Sequence, residues 1–235
     1  MYKRVLLKLS GEQLTGKFDS GIDVEFCRQL ADEVGKAAVA DAQMAIMVGG
    51  GNYARGAQLG QSTGINRVTA DNIGMLATMM NALALADIFK DAGLEAWPLS
   101  NIKASQVMDD FTTRRAVHHL ENNRVVIVGG GIGRPYFTTD TAAVSLALEL
   151  ECNAVLKATK VDGVYDKDPA QFPDAKKVDH MSFQQSVADR AIRVMDKAAL
   201  GLAMEHSLPI IVFDATVADN ILKATQGEAV GTIIS

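Results

Sequence analysis

Arg4-Val5-Leu6-Leu7-Lys8-Leu9-Ser10-Gly11-Glu12 is a short apolar run that stops at a serine–glycine pair. It reads as a strand, Arg4–Leu9, opening into a loop, Ser10–Gly21. The pattern returns twice: Met44–Val48 runs into Gly49-Gly50-Gly51, and Arg124–Val128 runs into Gly129-Gly130-Gly131. Helical spacing fills the intervals. Phe26, Leu30, Val34, Ala37 and Ala38 recur along 23–40, and further helices are predicted over 69–92, 112–121 and 140–151. Strands are predicted at Leu94–Leu99, Ala154–Ala158, Pro209–Phe213 and Gly231–Ile234, with a turn or hairpin at Val161–Pro169. Helices over 182–188, 196–206 and 218–225 complete the pattern. Short strands alternating with helices predict an α/β fold, a three-layer α/β/α sandwich around a mainly parallel central sheet. Open sheets of this kind bind ligands outside the carboxyl ends of their strands, where the three glycine loops fall.

The 69–92 helix carries two apolar stripes. Ile73, Leu76, Met80, Leu83 and Ala84 form one, and Met75, Met79, Ala82 and Ala86 form the other. A helix apolar on two sides requires cover on two sides, which predicts a homo-oligomer; a helix wholly buried in one subunit is the alternative.

At 235 residues, 48% of them hydrophobic, the chain is long enough to form one sizeable core. Surface scaling puts about 70% of its unfolded surface inside. It reads as one domain over 1–235, with lobes of residues 1–150 and 151–235 sharing a continuous sheet. The net charge of −5 leaves no global basic field for a nucleic-acid backbone. Cys27 and Cys152 stand too far apart in the chain to suggest a disulfide framework. His118, His119, His180 and His206 lack metal-ligand spacing and read as surface or capping residues, so no protein metal site is expected. The first residues form a strand rather than a leader. No apolar stretch approaches the ~18 residues of a membrane span. The expected location is the cytoplasm.

Glycine permits positive φ and close backbone approach, so successive N–H groups can converge on phosphate oxygens. Neither the P-loop spacing nor G-x-G-x-x-G is present, which argues against NAD. Each loop has a cation: Lys8 ends the first strand, Arg55 lies beside the second loop and Arg134 within the third. Phosphoryl transfer spreads negative charge over the phosphoryl oxygens and demands such cations. Thr138-Thr139-Asp140 then begins a helix whose N-terminal dipole suits a phosphate, with Thr139 or Asp140 as its cap. Taken alone, Lys157 and Lys160 read as surface lysines, and Asp71 as either a helix-start carboxylate or a functional group.

Six segments in order resemble the bacterial uridylate kinases (UMP kinases) of the amino acid kinase superfamily over essentially the whole chain. They are Lys8–Glu12 (KLSGE), Gly49–Gly56 (GGGNYARG), Asn66–Asn81 (NRVTADNIGMLATMMN), Arg134–Ala142 (RPYFTTDTA), Leu156–Tyr165 (LKATKVDGVY) and Gly227–Ile233 (GEAVGTI). The resemblance implies transfer of the ATP γ-phosphate to UMP in pyrimidine nucleotide biosynthesis, with Mg²⁺ accompanying ATP. Carried over by position, Lys8, Leu9, Ser10, Gly11, Gly51, Arg55, Thr159, Tyr165 and Asp168 meet ATP. Gly50, Asp71, Ile132, Gly133, Arg134, Pro135, Tyr136, Phe137, Thr138 and Thr139 meet UMP. Lys8 and Arg55 stabilise the transferring phosphate, while Asp140 orients Lys8 and neighbouring lysines such as Lys160. Ile132 stands where the resemblance leads one to expect threonine or another small residue near uracil.

The resemblance also implies a homohexamer built from dimers, UTP as inhibitor and GTP as activator through the region of Gly16–Gly21. Trp97 replaces an arginine that supports GTP in some relatives, although Arg124 is kept. Two other functions suit the same scaffold. One is a nucleotide sensor or oxyanion store, against which Lys8, Arg55 and Asp140 together weigh. The other is an amino acid or carbamate kinase, which requires a carboxylate-binding acceptor pocket.

Overall fold

Strand β1 (Arg4–Leu9) lies inside a nine-stranded sheet, paired in parallel with β2 (Gln43–Val48) on one side and β6 (Ala154–Thr159) on the other. The computed structural model describes residues 1–54, 64–167, 169, 171–188 and 195–235. Period-two alternation gives β1 two buried faces. Val5, Leu7 and Leu9 enter one core, and Leu6 enters the other.

The first core is covered by α1 (Val24–Val39), α2 (Arg67–Asp91) and α7 (Asn220–Gln226). The second is covered by α3 (Thr113–Glu121), α4 (Thr139–Glu149), α5 (Phe183–Ala188) and α6 (Lys197–Glu205). The layers are therefore helix, sheet, helix, as the alternation of elements predicts.

Four further strands extend the sheet on its two sides: β3 (Ala96–Ser100), β4 (Asp109–Asp110) and β5 (Val125–Gly129) beyond β2, and β9 (His180–Met181) at the far edge. With β10 (Ile210–Asp214) and β11 (Gly231–Ile234) the order is β4-β3-β5-β2-β1-β6-β10-β11-β9. Every neighbour is parallel except β10 and β11. The hairpin predicted at 161–169 is wider than expected, because β7 (Val164–Tyr165) pairs with the more distant β8 (Lys177–Val178). The predicted loop after β1 contains a 3₁₀ turn, Gly11–Thr15.

Helix α2 corrects one reading. It is long and apolar enough by composition to cross a membrane, with mean hydropathy 1.4. Here it packs on β2, β3, β5 and α1, burying Met75, Met79, Ala82, Leu85, Ala86 and Phe89. Gly129 permits that approach, since a Cβ there would stand 2.8 Å from Met79 Cα. The Met75/Met79 stripe thus finds its cover within the chain. On the other stripe Leu76 and Met80 remain 52% and 51% exposed.

Candidate active site

The chain leaves β1 towards β2 on one side and reaches β6 on the other, so the sheet has a switch point at the carboxyl end of β1. A crevice opens at such points because the outgoing loops diverge. Here the β1 and β2 loops touch. A Cβ on Gly11 would lie 2.6 Å from Gly51 N and 2.7 Å from Gly49 O, so only glycine fits. Gln13 braces the first loop, its Oε1 accepting the Ser10 N–H at 2.8 Å. A buried amide pair braces the second: Asn52 Nδ2 donates to Asn81 Oδ1 at 2.9 Å, and Asn81 Nδ2 to Asn52 Oδ1 at 2.7 Å. In the third, Gly130 N donates to Thr78 Oγ1 (2.7 Å) and Asn101 Nδ2 to Gly131 O (2.6 Å).

Strand alternation sends Lys8 to the α4 face, next after Leu6, and sends Lys157 to the same face, next after Val155. Lys8 and Lys157 are register partners across β1 and β6. Like charges so opposed repel. The first turn of α4 answers this with Asp140, whose Oδ1 is 2.7 Å from Lys8 Nζ and whose Oδ2 is 2.8 Å from Lys157 Nζ. The three side chains are only 9%, 12% and 13% exposed for Lys8, Lys157 and Asp140. Burial pushes the Asp140 carboxyl up, but the two ammonium groups outweigh it and hold the carboxyl below its ordinary range. Burial, with Lys8 adding to it, pushes Lys157 below the ordinary lysine range against the pull of Asp140.

Lys157 is therefore a buried member of this cluster, not a surface lysine. The lysine expected to join it, Lys160, is exposed. The cap of α4 is neither Thr139 nor Asp140 but Thr138, whose side chain accepts from Asp140 N and Thr141 N.

Asp71 sits 65 positions from Tyr136 in sequence yet accepts its N–H at 2.8 Å, so it joins the 132–139 stretch. Arg67 Nε contacts both Asp71 oxygens at 2.8 Å, and its guanidinium lies 5.4 Å from the Tyr136 ring. Tyr136 holds φ at 70°, which a non-glycine residue adopts only under restraint. Ile132 packs against the second core; Arg134, Tyr136, Phe137 and Thr138 are exposed. Gly50 meets α2, and Leu9 turns its side chain into the first core while its carbonyl accepts Gly49 N–H at 2.8 Å.

Thr159 and Tyr165 lie on the β6–β7 side. Thr159 Oγ1 is 3.0 Å from Phe213 O and 2.6 Å from Val161 O. Tyr165 donates to Asp162 Oδ1 at 2.7 Å, which lowers the Asp162 carboxyl and raises the tyrosine. Arg55 and Asp168 lie outside the described residues.

Sequence reasoning missed Lys157, the Asn52–Asn81 pair and Asp196, which receives hydroxyl hydrogen bonds from Thr138 and Thr141. It also misread His119. That ring is buried, stacked on Trp97 at 4.6 Å, with Lys90 and Arg124 5.3 and 5.6 Å from the Trp97 ring. Burial and the neighbouring Arg124 push the imidazole below its ordinary pKa. Buried Cys27 and Cys152 have thiols pushed up to about 12 by burial, so both are inert at neutral pH.

Fold and site together define a three-layer α/β protein with a lysine–aspartate–lysine cluster set against glycine loops at the carboxyl edge of its sheet. The chain belongs to the amino acid kinase family, whose model matches residues 3–214. Its structure is similar to that of UMP kinase from Bacillus anthracis, with TM-score 0.95 and 37% identity over 100% of this chain and 96% of that one. UMP kinase from Ureaplasma parvum matches at TM-score 0.92 and 32% identity, covering 100% and 99%. Uridylate kinase from Archaeoglobus fulgidus matches at 0.76 and 29%, covering 98% and 99%.

Proposed function

We propose that this chain transfers the γ-phosphoryl group of ATP to UMP, giving UDP and ADP, as a cytoplasmic step of pyrimidine nucleotide synthesis. The observation that carries the reading is the Lys8–Asp140–Lys157 cluster between glycine loops, in a chain alignable end to end with a UMP kinase. A UMP phosphate oxygen attacks the γ-phosphorus, and the bond to the bridging β–γ oxygen breaks. That oxygen nucleophile is already anionic, so alignment and charge neutralisation do the work and no strong base is needed.

Lys8 meets the transferring phosphoryl group, with Ser10, Gly11, Gly51 and Arg55 about the ATP phosphates. Thr159, Tyr165 and Asp168 receive the nucleoside end of ATP. Asp140 orients Lys8 and, as its geometry adds, Lys157. The 1–150 lobe takes the acceptor, with Gly50, Asp71 and residues 132–139 around UMP, and the 151–235 lobe takes the donor. ATP would enter as its Mg²⁺ complex, the ion supplying positive charge to the phosphates. Two lysines engage the Asp140 carboxylate, and among the described residues no three His, Cys, Asp or Glu side chains converge on a common point. Mg²⁺ accompanying a nucleotide commonly keeps water and phosphate oxygens as most of its ligands, and the same is expected here.

A coupled ADP-release assay with UMP, CMP, N-acetylglutamate and aspartate as acceptors tests the reading. Turnover with UMP is expected; none at millimolar UMP would sink it. Adding UTP or GTP to the same assay reads the proposed inhibition and activation. Asp71→Ala should raise the KM for UMP about tenfold or more while saturated turnover falls far less, because a ribose contact is made equally before and during transfer. A variant whose kcat falls as far as its kcat/KM would reassign Asp71 to the chemical step.

The reading includes a homohexamer built from dimers. The half-exposed Leu76 and Met80 on the outer stripe of α2 support a partner there. Sedimentation should give a species several times heavier than 25.1 kDa, and a lone 25.1 kDa species would contradict it.

A further inference from the structure

Asp196 has no part in the steps above, yet it is the carboxylate to which the acceptor stretch is anchored. It precedes α6 and caps it, accepting Ala199 N–H at 2.9 Å. From α4, Thr141 Oγ1 lies 2.9 and 3.0 Å from its two oxygens, and Thr138 donates its hydroxyl hydrogen to Oδ2. The Thr138 oxygen meanwhile receives the Asp140 N–H at 3.0 Å. A hydroxyl has one hydrogen and two lone pairs. With its hydrogen given to Asp196 and its oxygen facing the Asp140 amide in the first turn of α4, Thr138 has a single rotor state left.

The 132–139 stretch needs such fixing. Tyr136 and Phe137 are 65% and 52% exposed, so little packing holds them. Around those two residues side-chain carboxylates hold the stretch instead: Tyr136 N by Asp71, and Thr138 by Asp196. The second point also sets the first turn of α4, and therefore Thr139.

We infer that Asp196 is a positioning residue for the acceptor: by taking the hydroxyl hydrogens of Thr138 and Thr141 it holds Thr138 and Thr139 in the orientation that receives the acceptor's phosphate. The inference rests on the UMP reading above. Its partner chemistry is a phosphate monoester, the group for which hydroxyls and N–H groups at a helix start are suited.

Asp196→Asn is nearly isosteric and still caps α6. Its amide offers one oxygen where the carboxylate offers two, and it turns an N–H towards one of the two hydroxyls. We expect the KM for UMP to rise about tenfold or more while the KM for ATP stays within about twofold, since a hydrogen bond to a charged group is lost on the acceptor side alone. Thr138→Val should give a rise of similar size, and the double variant should be no worse than the worse single one, because both changes remove one interaction. Thr141→Val, which leaves Asp196 and Thr138 in place, should reproduce part of the effect and keeps the test open if Asp196→Asn fails to fold. Melting curves of the folded variants should stay close to wild type.

Additive losses in the double variant, or equal rises in KM for both substrates, would overturn the assignment. Wild-type turnover of UMP alongside unaffected variants would overturn the positioning role alone. Absence of UMP turnover by the wild-type chain would overturn the parent reading and this one with it.

Discussion

Asp140→Asn is expected to lower kcat at least about a hundredfold, the cost of one misdirected charge-stabilising donor, and to lose several kcal/mol of stability. The second effect follows from the charges. Asp140 lies 2.7 and 2.8 Å from two lysine ammonium groups that are at least as buried as it is. Removing one partner from a buried ionic cluster typically costs about 3–5 kcal/mol, because the remaining charge is left without compensation. Asparagine keeps a hydrogen-bond acceptor, which places the expected loss toward the lower end of that range. Lys157, already pushed down by burial, would then shed its proton more readily still.

Urea denaturation at neutral pH reads the stability, and an unchanged midpoint would mean that Asp140 is not what holds the lysines together. Acidification supplies a second measurement. The folded-state Asp140 carboxyl sits below its ordinary 3.8, so its contribution is fully present above that value and is lost as pH falls through the lower folded value. The wild-type chain should therefore lose stability through this acid range more steeply than the asparagine variant.

Lys8→Ala should show the opposite division. Its kcat is expected to fall about 10²–10³-fold, as when one donor aimed at a developing phosphoryl charge is removed. The KM for UMP should move only a few-fold, since Lys8 is proposed to meet the donor phosphates rather than the acceptor. Stability should be nearly kept. Without Lys8 the register partner Lys157 loses its like-charged neighbour and retains Asp140 one to one. An activity defect without a folding defect for Lys8→Ala, and both defects for Asp140→Asn, is a pattern that general disruption of the site does not produce. Equal effects of Lys8→Ala on kcat and on the KM for UMP would refute the division.

Much of this arrangement was legible in the sequence because it is local. β1 falls at the predicted Arg4–Leu9 and β11 at the predicted Gly231–Ile234, since short apolar runs bounded by glycine or proline leave few alternatives. The two-residue strands β4, β8 and β9 carry no periodicity at all and could not be read. Lys157 was misread for a different reason. A single lysine at a strand end usually snorkels to solvent, and here the carboxylate of α4 holds it inside. One signal was available: Val5-Leu6-Leu7-Lys8-Leu9 and Ala154-Val155-Leu156-Lys157-Ala158 have the same pattern, with lysine fourth in an apolar run. Asp196 offered no comparable sign, since its contacts with Thr138 and Thr141 span 58 and 55 positions. His119 looked like a helix-end residue, and its burial depends on Trp97 from strand β3.

The register of Lys8 against Lys157 also bears on how the chain assembles. Val5 must find Ala154, a partner most of the chain away, and closing so long a loop is entropically unfavourable before any contact rewards it. In-register meeting of two ammonium groups makes that encounter worse until a carboxylate lies between them. The helix that brings Asp140 packs on β1 and β2 and precedes β6 in the chain, so it can dock on the first half of the sheet beforehand. The β1–β6 seam can then close on a helix already seated. A slip of one residue would turn Lys157 into the opposite apolar layer. A molecule whose β1–β6 seam is in register therefore has its lysine–aspartate–lysine cluster complete.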